Sequence, residues 1–340
     1  MTAGRQSKVV LVYDERPLEI PSWLPPDFGL EYEDARTVEA LLGSIRACGY
    51  AASGLALSAD FPESISRLGP DLVFNISEGV RGPGRESLVP SWCEHFGITY
   101  TGSDALTLAV SLDKALTKTL VSAHGVPTPA FRLVDSVAGV GDAGLRFPVF
   151  VKPNAEGSSM GISRESLVHN AEDLTARVAW ITGTYGQGCL VEEYLPGREY
   201  CVGLLGNGEL RALPVVEIRT ASGLYGSDEK RVHSKELICP ADLQSDLADR
   251  LREQAETSYR ALRCRDFARV DFRLDAAGEP GFLEINPLPG LSPFYSVFTR
   301  QAEAAGLSHA DLIGRIIELA FRRAAKRSER GEERKHGRAG

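Results

Sequence analysis

Near the C-terminal end of the sequence, Arg269-Val270-Asp271 is followed by Glu284-Ile285-Asn286. The two segments read as strands joined by a turn at Asp275-Ala276-Ala277-Gly278. Strand side chains alternate faces, so Arg269, Asp271 and Arg273 share one side, and Glu284 and Asn286 share one side of the return. A hairpin of this kind gathers two carboxylates, an amide oxygen and a guanidinium. Hard oxygen donors suit Mg²⁺, which usually also takes substrate phosphates. The arginine then faces an anion. A solvated hairpin face explains the same acidic residues, and the hairpin alone leaves both readings open.

A second group starts with a lysine ending an apolar strand, Val149-Phe150-Val151-Lys152, which runs into Pro153-Asn154-Ala155-Glu156-Gly157-Ser158-Ser159-Met160-Gly161. Backbone N–H groups and hydroxyls of such a loop can close over phosphates while the ammonium neutralises them. Glycine and serine alone describe a surface loop; the strand-end lysine favours phosphate. Gly157 to Gly161 also matches G-x-S-x-G, which would make Ser159 a hydrolase nucleophile. Pro153 and Asn154 break the required strand-to-serine approach, and Ile162-Ser163-Arg164 reads as extended instead of helical. Gly139 to Gly144 matches the dinucleotide fingerprint but precedes a strand instead of opening a helix, so its mechanism is missing. In Glu192-Glu193-Tyr194-Leu195-Pro196-Gly197-Arg198-Glu199, strand-end carboxylates can accept from an adenine amino group or a ribose hydroxyl.

These residues need a scaffold. Lys8 to Tyr13 reads as a strand, followed by a loop rich in proline and acid up to Asp34. A helix then puts Val38, Leu41, Leu42 and Ile45 on one face and stops at Gly49. Ala51 to Leu57 and Leu72 to Asn75 are further strands, which makes residues 1–105 an open α/β domain with a mostly parallel sheet. Ligands of such sheets lie beyond the carboxyl ends of the strands, where Asn75 to Gly79 sits. Residues 106–206 read as a small α+β unit. It has a helix from Asp113 to Ala123, strands at Phe131 to Val134, Val149 to Lys152, Cys189 to Tyr194 and Glu199 to Leu205, and a helix near Ala171 to Trp180. Residues 207–321 form a third unit, with strands near Arg211 to Ile218, Phe267 to Leu274 and Gly281 to Ile285. Its helices are expected at Asp242 to Leu262 and His309 to Ala324. Residues 322–340 read as a basic, flexible tail.

At 340 residues more than one core is expected. The net charge of −8 and the lack of a basic stripe in the folded part argue against nucleic acid as a partner. The six cysteines show no C-x-x-C pair, the pattern of a reduced intracellular protein. No apolar window approaches a membrane span, and no leader is evident. A cytoplasmic protein without membrane contact is expected.

Together the motifs resemble the ATP-grasp superfamily, and within it the D-alanine–D-alanine ligase family, from roughly Leu72 to Leu319. The likeness rests on Tyr100-Thr-Gly-Ser with Leu112-Asp113-Lys114, on Val151-Lys152-Pro153 with the Glu156 to Gly161 loop, on Glu192 to Glu199, and on the Arg269, Asp271, Glu284, Asn286, Pro289-Gly290 set. The resemblance implies a mixed α/β and α+β ATP-grasp fold whose two α+β subdomains clamp ATP. It implies that Lys114 and Lys152 meet ATP phosphates, with the Glu156, Gly157 and Ser159 loop around them. Glu192, Glu193, Leu195 and Glu199 would line the adenosine, and Lys230 in the Tyr225 to Lys235 loop would close over the γ-phosphate. Asp271, Glu284 and Asn286 would hold two Mg²⁺ ions, with Mn²⁺ an alternative. Arg269 and the Gly290 N–H would stabilise an oxyanion, and Ser158 would orient the first substrate. The implied reaction is ATP-dependent peptide-bond formation between amino acids through an acylphosphate, by a homodimer acting on amino acids or short peptides.

The departures concern the substrates. Val12-Tyr13-Asp14-Glu15 enters a long proline-containing insert where the family has a Gly-Gly loop and an ammonium-binding glutamate; Glu31 and Glu33 are both candidates for that glutamate. Arg231 follows Lys230 where the family has an aromatic residue. Pro287-Leu288 replaces a Thr-Ser pair, and Ser292-Pro293-Phe294-Tyr295-Ser296 stands where the second substrate's carboxylate is received. A D-alanine–D-alanine ligase and a peptide-forming ligase of specialised metabolism are both open, and the departures tilt toward the second.

Overall fold

The computed structural model describes residues 6–15, 24, 25, 27–142, 144–220 and 236–336. β1 (Lys8–Tyr13) is a run of apolar residues whose Val9 to Val12 are wholly buried. α1 (Ala35–Ala47) starts where Asp34 accepts the Thr37 N–H at 2.6 Å. It leads into β2 (Ala51–Ala56), and α2 (Phe61–Leu68) leads into β3 (Leu72–Asn75). All pairings are parallel, in the order β2–β1–β3. Helices cover both faces, as a buried parallel sheet requires. Leu41 and Ile45 of α1 pack on one face; Phe61 and Ile65 of α2, with Cys93 of α3 (Leu88–Phe96), pack on the other.

α4 (Ala105–Leu112) and α5 (Lys114–Ala123) follow, separated by Asp113, whose carboxylate accepts the Leu116 N–H. β4 (Phe131–Val134), β5 (Val149–Pro153), β6 (Leu167–Val168) and β7 (Cys189–Glu193) form an antiparallel sheet in the order β4–β7–β5–β6. α6 (Ala171–Tyr185) lays Leu174, Val178 and Ile181 against Val149, Val151 and Val191 of that sheet. The largest sheet contains β8 (Glu199–Leu205), β9 (Arg211–Ala212), β10 (Val216–Arg219), β11 (Glu236–Ile238), β12 (Phe267–Leu274) and β13 (Pro280–Asn286). Its strand order is β11–β10–β8–β12–β13, with β9 paired to β8. α7 (Ser245–Ala261) packs Leu251 and Ala255 against Tyr200, Val202 and Phe272. α8 (Val297–Ala304) and α9 (His309–His336) complete the chain, and α9 returns Leu312, Ile313, Ile316 and Ile317 to the core of the first sheet.

Several expectations change. β8 belongs to the large sheet, not to the central unit, because it pairs with β12 and β10. The turn before it presses Gly197 against Leu274, where a Cβ would stand 2.6 Å from the Leu274 carbonyl oxygen. α5 likewise sides with the large sheet, through Val121. The strand expected over Arg211 to Ile218 is broken between Ala212 and Val216. After Ser163 the chain makes a 3-10 turn at Arg164–Ser166 instead of staying extended. From Arg322 to His336 the basic segment continues α9 instead of fraying, consistent with its Ala, Glu, Arg and Lys content, all strong helix formers.

Candidate active site

β12 and β13 pair antiparallel, with Asp271 opposite Glu284 and Arg269 opposite Asn286. Arg269 grips Asp271 in a two-pronged pair, Nε to Oδ1 at 2.7 Å and Nη2 to Oδ2 at 2.6 Å. Asn286 Nδ2 donates to the same carboxylate at 3.1 Å. Glu284 pairs with Lys114 of α5 at 3.5 Å. Enclosure opposes charge on Glu284, but Lys114, Lys152 and Arg269 together outweigh it and hold the carboxyl down at about 2. Among the described residues, no cluster of three or more His, Cys, Asp or Glu side chains forms a metal cage. Asp271, Glu284 and the Asn286 amide oxygen nevertheless fit Mg²⁺ by donor type, with phosphates completing the shell.

Beside the hairpin, Lys152 at the end of β5 meets Glu192 of β7 at 2.7 Å. The other oxygen of Glu192 lies 2.9 Å from the ammonium of Lys118, a residue that sequence reasoning had not placed in the site. Lys118 lies one helical turn after Lys114 on α5, and that spacing was the available signal. Lys118 also donates to Thr128 Oγ1 at 2.8 Å and to the Phe282 carbonyl at 2.9 Å. Burial pushes Lys118 down to about 8 against the pull of Glu192. Burial alone would raise Glu192, and the two lysines reverse the sign. Glu192, expected at adenine, is 2% exposed and bridges two lysines, so in this arrangement it fixes Lys152. Glu199 meets Arg273 at 3.5 Å, and Glu193 meets Arg146 at 3.2 Å near the surface. Leu195 lines the same cleft as these residues.

The glycine-serine loop closes one end of the cleft. Gly157 donates to Glu31 Oε1 at 3.2 Å; a Cβ on Gly157 would sit 2.8 Å from that oxygen, so any larger residue would have to displace the Glu31 carboxylate. Ser158 and Ser159 lie in the left-handed region, at φ 53° and 59°. Lys114 donates to the Glu156 carbonyl, while the Glu156 side chain turns to Arg85 and Gln187. Among the described residues, no histidine lines this cleft beside Ser159. On the far side, Gly290 lies next to Ser296, and Tyr295 donates to Glu33 at 2.5 Å. Lys230 and Arg231 lie outside the described residues.

Residues 120–318 match the model of the family described as the D-ala D-ala ligase C-terminus. A D-alanine–D-alanine ligase of Desulforudis audaxviator is 34% identical over 296 residues, covering 85% of this chain and 94% of the relative. An uncharacterized protein of Sinorhizobium fredii is 38% identical over 306 residues, covering 86% and 89%. The chain belongs to the D-alanine–D-alanine ligase family. A crystal structure of D-alanine–D-alanine ligase from Bacillus anthracis shares the fold, with a TM-score of 0.76 at 22% identity, covering 94% of this chain and 99% of that one.

As a member of the D-alanine–D-alanine ligase family the protein is an ATP-dependent ligase, and the ATP-grasp architecture read from its motifs is the one it has. Arg85 and Asp27 went unread as site residues in the sequence, and neither stands in a motif. Asp27 accepts the Gly161 N–H at 2.7 Å and the Tyr185 hydroxyl at 2.8 Å. Among the described residues, no helix of this ligase is long and apolar enough to cross a membrane.

Proposed function

We propose that the protein joins two amino-acid substrates, activating the carboxylate of the first with ATP. That carboxylate attacks the γ-phosphorus, giving an acylphosphate and ADP. The amine of the second substrate attacks the acyl carbon, the C–O bond to phosphate breaks, and the amine loses a proton to leave an amide. The observation that carries this reading is the convergence of Lys114, Lys152, Arg269, Asp271, Glu284 and Asn286 along one cleft. Such chemistry asks the protein mainly to position groups and neutralise charge.

Lys114 and Lys152 neutralise phosphates, and Glu192 sets the second of them. Glu193, Leu195 and Glu199 border the adenosine, beside the Glu156 to Ser159 loop. Asp271, Glu284 and Asn286 hold two Mg²⁺ ions, which supply Lewis-acid neutralisation when bound. Arg269 and the Gly290 N–H face the developing oxyanion, a role worth on the order of 10²–10³ in rate. Ser158 orients the first substrate. Glu31 takes the first substrate's ammonium: its Oε2 is buried and lacks a hydrogen-bond partner among the described residues, whereas Glu33 accepts from Tyr295. A homodimer is proposed, resting on an exposed apolar face of α3.

A second reading, a ligase of specialised metabolism with substrates other than D-alanine, is favoured by the Tyr295–Glu33 pair at the acceptor end. ADP release with Mg²⁺-ATP decides, across D- and L-amino acids tested singly and in pairs. D-alanine alone should support turnover if the relatives' activity carries over. Turnover only with other pairs would establish the second reading, and no ADP release with any pair would refute both.

A further inference from the structure

Three stretches of chain meet around one guanidinium at the loop end of the cleft. The side chain of Arg85 is 4% exposed. Its Nη2 donates to Glu31 Oε1 at 2.9 Å and to Glu156 Oε2 at 3.0 Å, and its Nη1 donates to the Ala155 carbonyl at 2.9 Å. The Glu31 oxygen that Arg85 holds is the one receiving the Gly157 N–H, so the loop's first glycine is tied to Arg85 through a shared carboxylate. Gln187 braces the other side, donating to Glu156 Oε1 at 2.6 Å and accepting the Ala155 N–H at 2.6 Å. The backbone carrying Arg85 is seated by Gly79, at φ 72°, where a Cβ would stand 2.6 Å from the Arg85 carbonyl oxygen.

Arg85 thus comes from the first domain yet bonds directly to the start of the glycine-serine loop. Without it, the buried Glu31 carboxylate and the mostly enclosed Glu156 carboxylate would lose the guanidinium they share, and like charges that close repel. A loop of glycine and serine otherwise loses conformational entropy when a ligand orders it, and ordering it beforehand strengthens binding. Resting on the reading of this loop as the phosphate cradle, we propose that Arg85 is a positioning residue that pre-sets the loop for the β- and γ-phosphates of ATP. It acts through Glu31, Glu156 and the Ala155 carbonyl, without touching the nucleotide.

The test is calorimetric titration of the full chain with Mg²⁺ and either AMP-PNP or AMP. R85Q should bind AMP-PNP about tenfold more weakly than wild type, the loss of hydrogen bonds to charged groups, while AMP binds unchanged. R85K, which keeps the charge but not the forked geometry, should recover part of the difference. Equal AMP-PNP affinity in R85Q and wild type, or equal weakening of both nucleotides, would overturn the proposal. If R85Q does not fold, R85K decides by the same criterion: selective weakening of AMP-PNP supports the role, and wild-type affinity removes it. A wild-type protein that binds no AMP-PNP would overturn the nucleotide reading, and this inference with it.

Discussion

Glu199 shows how a single residue links burial to ligand binding. It lies on β8 opposite Arg273 of β12. Burial raises its carboxyl, Arg273 pulls it back, and Asp271 and Glu284 push it up again, leaving it at about 7. A carboxyl raised on folding contributes stability that is fully present below its ordinary value and lost as pH rises through about 7. In nucleotide- and metal-free protein, Glu199→Gln should therefore gain melting temperature relative to wild type between about pH 5 and about pH 8. Melting curves of the two proteins that shift in parallel with pH would refute this. In the ribose-binding role proposed for Glu199, the ionised carboxylate is the stronger acceptor, so the ratio of wild-type to variant affinity for the nucleotide should rise over the same interval.

At the scale of elements, α9 is fastened to the start of β12 and to the first domain by one ion pair. Asp266 is wholly buried and receives Arg323 Nη2 at 2.8 Å, and the same nitrogen donates to the Tyr100 carbonyl at 2.7 Å. Arg323→Ala removes these bonds, although Asp266 keeps the Gly102 N–H at 2.8 Å and the Asn207 amide at 2.6 Å. We expect a loss of about 2 kcal/mol and a melting temperature lower by a few degrees, with kcat little changed. A kcat falling in step with melting temperature would show that the clamp also shapes the cleft. The residues of such clamps are the least legible in a sequence. β1, α1 and the β12–β13 hairpin could be read because their periodicity is local. The pairing of β8 could not, since it depends on partners that only tertiary packing selects. Arg85 and Glu31 stand 54 positions apart in segments without a motif, so nothing local announces their contact. Glu192 was found by its motif, but its two lysines, and hence its burial, were visible only in space.

At the scale of the whole molecule, α3 presents Leu88, Trp92 and Phe96 at successive turns, 44%, 36% and 38% exposed. Trp92 and Phe96 stack with ring centroids 5.7 Å apart. The opposite side of the helix, with Val89 and Cys93, is buried against the first sheet, so the outer stripe is not needed for the core. Leu106 on α4 and Leu116 on α5 add exposed apolar surface at 69% and 57%. An exposed apolar stripe such as that on α3 marks an interaction site, and tryptophan is enriched where partners dock. In the homodimer proposed for this ligase, α3 would face its counterpart across a two-fold axis, each stripe covering the other. Trp92→Asp puts a charge at the centre of that stripe while leaving the buried side intact, and the two introduced charges would oppose each other across the axis. Light scattering after size exclusion should find a dimer for wild type and a monomer for Trp92→Asp at the same concentration, with unchanged circular dichroism. A wild-type monomer would remove the dimer, and a variant that stays dimeric would move the interface away from α3.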